Sequence, residues 1–563
     1  MMQKARSDEK NIRKAYNNGG GYVGGNRFDL RINGFNKVSK NSSSFVLVAI
    51  LVVSVFVILA FAGTASAETF TVNETGWWNE TWGYNASSTP IQSAINNATT
   101  GDNINVVEGT YDEQVVIDKS LTLQSVDGAE ATIIDGEFAD EPAVIVIQGT
   151  DITVTFEGFT VLNPADVGDE TTWLEGILVG GLGDEAPKPK EVHIKNNILV
   201  GGASNCIEIA RLTGSGVHAS SVTGNHISLG INPDPYYEGS GISVWHTNDV
   251  LISNNTVCDS ENGIEVIGKS DYGGAYNTTI TGNLVKNNTC AGITVYANSV
   301  NTTITNNDIN ANNWGLFLMG DWWGGGSAPD GTQFHFNNVT NNTEWGIKNG
   351  YSPYAPEIDL DAINNWWGDE NGPSGEGVGS GDAVSENVDY EPWLMAPWPS
   401  AETEETVTET IDGDGTMTDT PTGGNVTINA TGNHTITTAK YAENPGGTPT
   451  FKATGDYWDV HLDNATNVTN VTIKFCPAGP SDTIYYWDAA SNSWKPCSDQ
   501  VYADGCITVT ITSDTEPSLE DLTGQEFGRG TPEQVPVLTP LGIIALIGIL
   551  SVVLAVATLR RRG

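Results

Sequence analysis

The 563-residue sequence predicts an all-β protein: a right-handed parallel β-helix followed by a small antiparallel β-sandwich, with an N-terminal signal helix and a C-terminal transmembrane helix. Three observations carry this expectation. The phrase Ile280 to Tyr296, ITGNLVKNNTCAGITVY, returns in varied form every 24 to 30 residues through the middle of the chain, which is the period of a stacked repeat. After Trp398 the phrase stops and short alternating runs replace it. Finally, an apolar run of 19 residues stands near each end.

The two ends separate from the body. The first 44 residues hold nine Lys/Arg and lead into Phe45 to Gly63 (FVLVAILVVSVFVILAFAG), followed by Ala65-Ser66-Ala67. This is the pattern of a signal peptide with a long basic region, residues 1–67, cleaved after Ala67; an uncleaved anchor of the same length is the alternative. At the other end Leu541 to Leu559 is long enough to cross a bilayer, and Arg560, Arg561 and Arg562 place the tail 560–563 in the cytoplasm. The body between them is then expected outside the cell, held at its surface by a single span.

Composition narrows the partners. Without its ends the body keeps 13 Lys/Arg against 66 Asp/Glu, a formal charge near −53. Such a surface repels nucleic acid and polyanionic glycans and is soluble in salt. Sixteen Asn-X-Ser/Thr sequons in the body, among them Asn73, Asn254, Asn301 and Asn467, fit glycosylation outside the cell.

The repeat has two columns. The first is Asn197, Asn225, Asn255, Asn283, Asn307, Asn337 and Asn365, with Phe159 one repeat earlier. Three residues before the Asn stands Val222, Ile252, Ile280 or Ile304, and two after it Ile227, Val257, Val285 or Ile309, so two short strands meet at a bend. Asn suits a bend because it tolerates left-handed backbone angles. The second column, Gly176, Cys206, Gly241, Gly263, Gly292, Gly315 and Gly346, precedes apolar pairs such as Ile264/Val266 and Ile293/Val295. Each pair marks an inward-facing strand. Three short strands per turn, stacked at about 4.8 Å, give about ten coils over roughly 50 Å.

The segment PIQSAINNATTGDNINVVEGTYDEQVVIDKSLTLQSV resembles the N-terminal cap and first coils of the pectin lyase-like superfamily, in particular its NosD-like repeats common in archaeal surface proteins. NNWWGDENGPSG with VDYEPWL resembles the closing coil. The resemblance spans residues 88 to 395 and implies the β-helix fold, while the superfamily covers lyases, hydrolases, epimerases, esterases and binding proteins. The C-terminal pattern likewise resembles archaeal surface-sorting signals, without their Pro-Gly-Phe motif. In the first coil, Thr89-Pro90-Ile91-Gln92 reads as a capping box, with Ile91, Ala94, Ile95 and Ala98 as an apolar stripe covering the open end.

These signals divide the chain into an N-terminal lead 68–87, a β-helix 88–398, an acidic linker 399–422 that could also hold a first strand, a β-sandwich 423–528, and a linker 529–540. The sandwich rests on the runs NVTINA, HTITTAKY, YWDVHL, NVTIKF, TIYYW and CITVTIT. Its ending DTEPSLEDLTGQEFG resembles membrane-proximal modules of archaeal surface proteins.

Candidate chemistry lies on outward positions. The column between the inward pairs is Leu178, Glu208, Ser243, Glu265, Thr294, Phe317 and Lys348. Glu208 and Glu265, two coils and roughly 10 Å apart, are the candidate catalytic carboxylates, though the same positions also read as exposed strand residues. Arg211 and Lys269 are the few bases a lyase could use. Trp322 and Trp323, in DWWGGGSAPDG, are the candidate sugar platform, while Trp314 and Trp345 precede aligned glycines. Cys497 and Cys506 flank a segment whose Asp504-Gly505 forms a tight turn and are the expected disulfide, with Cys476 the competing partner. Scattered His and Met disfavour copper, no spacing favours zinc, and calcium is the cation that acidic loops could hold. The functional expectation is a structural, adhesive or glycan-interacting component of the cell envelope; the alternative is a carbohydrate-active enzyme.

Overall fold

A computed structural model describes residues 67–136, 143–162, 175–181, 186–201, 205–228, 239–268, 273–320, 327–350, 359–522 and 524–532. The expected signal segment up to Ser66, the anchor 541–559 and the basic tail lie outside the described residues. Among the described residues no helix is long and apolar enough to cross a membrane.

Alternating apolar residues fold into three long sheets of 14, 9 and 11 strands, whose neighbours come from successive repeats. The pairing within each coil stack is parallel, with Val222, Ile252, Ile280 and Ile304 in one row of the first sheet. Ile227, Val257, Val285 and Ile309 form a row of the second. The third carries Ile207, Ile242, Ile264, Ile293, Leu316 and Ile347. All of these side chains are fully buried in one continuous core. The stack is a parallel β-helix.

The Asn column stands beside the bend it was expected to form. Positive φ falls one residue before each column Asn, at Asn196, Gly224, Asn254, Gly282, Asn306, Phe336 and Asn364. The column Asn themselves are buried and stacked. Asn225 Nδ2 donates to Asn255 Oδ1 (3.0 Å), Asn255 to Asn283 (2.9 Å), Asn283 to Asn307 (2.9 Å), and so on to Asn365. Each Oδ1 also accepts the backbone N–H of the preceding Asn. The corner thus satisfies polar groups that burial would otherwise leave unpaired. A second ladder, Asn288, Asn312 and Asn342, ends on the Asp382 carboxylate. The glycine column is required by close approach: a Cβ on Gly263 would lie 2.5 Å from Gly292 O and 2.6 Å from Val285 Cγ1.

The helix starts earlier than its expected boundary at residue 88. Thr69–Asn73 pairs in parallel with Asn103–Val106 and in antiparallel with Gly76–Asn79, so the expected lead is the first rung. The α-helix Pro90–Asn97 buries Ile91, Ala94 and Ile95 as expected, but Thr89 makes no side-chain cap bond. Its free N–H groups are met from another coil: Glu113 accepts from Ile91 N (2.9 Å) and Gln92 N (2.8 Å). Gln92 instead bonds the backbone of Val116.

Beyond the helix lie two antiparallel sheets of six and five strands. Ile428, Ile473, Val509, Trp458, Ile484 and Phe527, drawn from both, share one buried cluster. The strand Thr403–Asp412 lies inside the segment expected as a linker and pairs with Asn433–Tyr441. The last strand, Gln525–Pro532, runs past the expected boundary at 528. The sheets are packed on the closing coil, where Thr437 Oγ1 donates to Asn371 Oδ1 (3.0 Å) and His461 Nδ1 lies 2.7 Å from Glu370 Oε2.

The expected disulfide between Cys497 and Cys506 is not formed. Cys506 is bonded to Cys476, with Cα atoms 4.6 Å apart, and Cys497 is a free, buried thiol. The reason is register. Phe475 pairs with Ile507, which sets Cys476 directly opposite Cys506. Cys497 directly follows the strand Ser493–Pro496 of the other sheet, its N–H bonded to Ile484 O. The tight turn at Asp504-Gly505 is present, with positive φ at both residues, joining Ala503 to Cys506.

Candidate functional site

The outward column of the third sheet has the register that the repeats imply. Leu178, Glu208, Ser243, Glu265, Thr294, Phe317 and Lys348 are successive neighbours across the strands. A second column beside it contains Asn262, Ala291, Trp314 and Trp345.

The early half of this face is polar and covered. Glu208 and Glu265 are buried, 4% and 7% exposed, which corrects their reading as exposed strand residues. Asn205 Nδ2 donates to Glu208 Oε2 (2.9 Å). Glu265 Oε1 accepts from Asn262 Nδ2 (2.8 Å) and Tyr296 OH (3.3 Å), and Ser243 Oγ lies 3.5 Å from Oε2. Trp245 Nε1 donates to Ser243 Oγ (2.6 Å). Ser243 therefore stands between the two carboxylates, which are two strand spacings apart, about 10 Å.

Glu175, absent from the sequence expectations, joins this group. It is buried at the start of the strand Glu175–Val179, one coil before Glu208. Burial first, and then the charge of Glu208, pushes the Glu175 carboxyl well above the usual carboxylate range. Burial also raises Glu208, against the opposing hydrogen bond from Asn205. The signal that could have found Glu175 is its position just before Gly176, the place Asn205 and Asn262 occupy before the aligned residues of later coils. Tyr296 and Trp245, the last residues of their strands, lie outside the two columns that the repeat aligns.

The later half is aromatic and partly exposed. Trp314 and Trp345 are direct neighbours in register, and the Trp314 and Phe317 rings lie 4.6 Å apart. Lys348 Nζ sits 4.4 Å above the Trp345 ring, a cation held over a π face. Trp314 Nε1 donates to Glu344 Oε2 (3.0 Å). Phe317 and Met319 pack in a small apolar cluster with Ala291, outside the main core. Glu344 also borders a cleft of about 430 Å³ lined by Asn341, Thr343, Trp366, Asp369 and Asp382.

Trp322 and Trp323, the expected sugar platform, and Lys269 lie outside the described residues. Arg211 is buried at the end of the strand Ile207–Ala210, with positive φ. Trp366 and Trp367 are buried in the closing coil, as cap packing requires. Among the described residues no group of three or more His, Cys, Asp or Glu is arranged to hold a metal ion.

Residues 143–343 match the family model described as a right handed beta helix region. Over those residues the coil is of the right-handed type. No curated protein matches the chain. Among solved structures it is similar to the Dettilon tailspike protein (13% identity over 82% of this chain and 94% of that one, TM-score 0.37). It is also similar to a polygalacturonase from Erwinia carotovora ssp. carotovora (13%, 59% and 95%, TM-score 0.33). A third is PfbA, a surface adhesin of Streptococcus pneumoniae (14%, 49% and 75%, TM-score 0.37).

Proposed function

We propose that the protein is an exported, membrane-held surface component whose β-helix binds an extended, neutral glycan along the outward face of its third sheet without cleaving it. The two antiparallel sheets form a β-sandwich spacer between that helix and the C-terminal anchor. One observation carries the binding reading: Trp314 and Trp345 are in register and partly exposed, and Lys348 of the neighbouring column holds its ammonium against the Trp345 ring, so two indoles and one cation gather on the later half of the face. Sugar rings stack on such faces through their C–H groups, and hydroxyl oxygens accept from an ammonium. The acidic body disfavours a polyanionic ligand by its long-range field. Export and anchoring rest on the basic and apolar runs at the two ends.

A glycan array probed with the purified chain tests this reading. Binding to neutral oligosaccharides, lost at least tenfold in Trp345→Ala and in Lys348→Ala, is expected. No binding to any glycan, or binding indifferent to both substitutions, overturns it.

One observation favours a carbohydrate-active enzyme as the second reading. Glu175 and Glu208 form a buried carboxyl pair with raised proton affinity, the condition in which a glycosidase holds its general acid. The burial of both groups opposes it, because an acid must reach the glycosidic oxygen.

A further inference from the structure

The sequons of the β-helix are not equivalent once folded. Asn254, Asn277, Asn287, Asn301 and Asn341 all sit at turns between sheets, all are exposed, and all have φ between 55° and 59°. Each is followed two residues later by a threonine: Thr256, Thr279, Thr289, Thr303 and Thr343. Asn79 and Asn338 have the same sequence motif in a different setting. Asn79 is buried, its Nδ2 donating to Glu68 Oε2 (2.8 Å) and its Oδ1 accepting from the N–H groups of Thr81 and Trp82. Asn338 is half-buried, clamped by Trp398 through Nδ2 to the carbonyl (3.0 Å) and Oδ1 from the N–H (2.7 Å).

We infer that the turn asparagines Asn254, Asn277, Asn287, Asn301 and Asn341 are N-glycosylation sites of the folded chain, and that Asn79 and Asn338 are refused by the fold. The donor is an oligosaccharide carried on a lipid diphosphate. The amide Nδ2 attacks the anomeric carbon and forms the C–N bond. The C–O bond to the diphosphate breaks, the lipid diphosphate leaves with the electron pair, and one amide proton is lost to base. The reaction needs an amide that can leave its hydrogen bonds and enter a transferase. An exposed turn residue can do so without disturbing the coil. Asn79 would have to give up three bonds in a buried site, and Asn338 would have to release the closing segment at Trp398.

The pattern also places sugar at the three edges of the coil and none within the strands of the third sheet's face. Asn277 and Asn301 are stacked neighbours along one edge, Asn301 Nδ2 lying 3.2 Å from Asn277 Oδ1. Asn287 and Asn341 directly follow strands of the second sheet, Leu284–Lys286 and Asn338–Thr340, two coils apart, at the edge bordering the third. The oligosaccharide on Asn341 would begin at the rim of the cleft beside Glu344. The inference takes from the export reading only that the chain meets a transferase, and its test does not require export.

The test is glycosylation of the purified, folded full chain in vitro, with an oligosaccharyltransferase that accepts Asn-X-Thr and a polyprenyl-diphosphate-linked disaccharide as donor. Peptide mass mapping reads occupancy at every sequon. Occupancy at the five turn sites at least tenfold above that at Asn79 and Asn338 is expected, with one disaccharide fewer in Asn301→Gln. Synthetic peptides spanning Asn79 and Asn338 should be modified, showing that the fold protects these sites. Comparable occupancy at all seven sites, bare turn sites, or peptides refused like the folded protein would each overturn the inference.

Discussion

Glu175 and Glu208 stand in neighbouring coils of the third sheet, both at least nine-tenths buried, and the charge of Glu208 raises the proton affinity of Glu175. The sign of the pH dependence follows. Both carboxyls bind protons more tightly folded than unfolded, so the unfolded state releases protons first as pH rises. Their contribution to stability is full below the ordinary glutamate value of about 4.5 and is lost as pH climbs through the raised folded values. Glu208→Gln removes one ionising group and the repulsion it exerts on the other. Thermal unfolding of the variant should match the wild type near pH 4 and exceed it at pH 9. An unchanged difference across that range would remove the pair from the pH dependence.

The asparagine ladder makes a stability prediction. Asn283→Ala deletes the acceptor for the buried N–H and Nδ2 of Asn255 and the donor to Asn307. A buried group left unpaired costs about 1–3 kcal/mol, so the variant should lose roughly that much, or more because two donors of Asn255 are orphaned. Denaturant unfolding of the β-helix measures it. A loss under about 0.5 kcal/mol would show that the ladder contributes only shape.

The disulfide makes another. Cys476 and Cys506 are separated by 30 residues, and closing a loop of that size restricts the unfolded chain by about 3–4 kcal/mol in the chain-entropy treatment. Cys476→Ser with Cys506→Ser should lower the stability of the antiparallel module by about that amount. Cys497→Ser should leave the bridge intact. Peptide mapping without reductant that joined Cys497 to Cys506 would contradict the assigned register.

The helix N-terminus gives a fourth. Glu113 bonds the free N–H groups of Ile91 and Gln92, and burial raises its pKa to about 7 against those bonds. Glu113→Ala leaves both donors of a buried helix end unmet and should cost about 1–3 kcal/mol. Glu113→Gln, which keeps an acceptor, should cost less, and hydrogen exchange at Ile91 and Gln92 separates the two.

The third-sheet column was legible in the sequence because its residues recur at a fixed distance from the glycine column, so that Glu208, Ser243 and Glu265 could be aligned without coordinates. Its burial was not. Alternation says which way a side chain points and nothing about what covers the face it points to. The ladder residues were visible as a column, but their role was misassigned: Asn at a bend and Asn stacked beside a bend leave the same trace, and only the φ values of Asn254 and Gly282 distinguish them. The Cys476–Cys506 bond depended on register between distant strands, which a local turn at Asp504-Gly505 does not report. Glu113 as a helix cap was hidden for the same reason, since it lies 22 residues from Ile91 in the chain.

The central claim is that the third-sheet face holds a glycan without breaking it. Its most direct test is release of reducing ends from a panel of neutral and acidic polysaccharides, by the wild type and by Glu208→Gln combined with Glu265→Gln. The account predicts no release by either protein and undiminished glycan binding by the variant. Cleavage by the wild type that disappears in the double variant would contradict it.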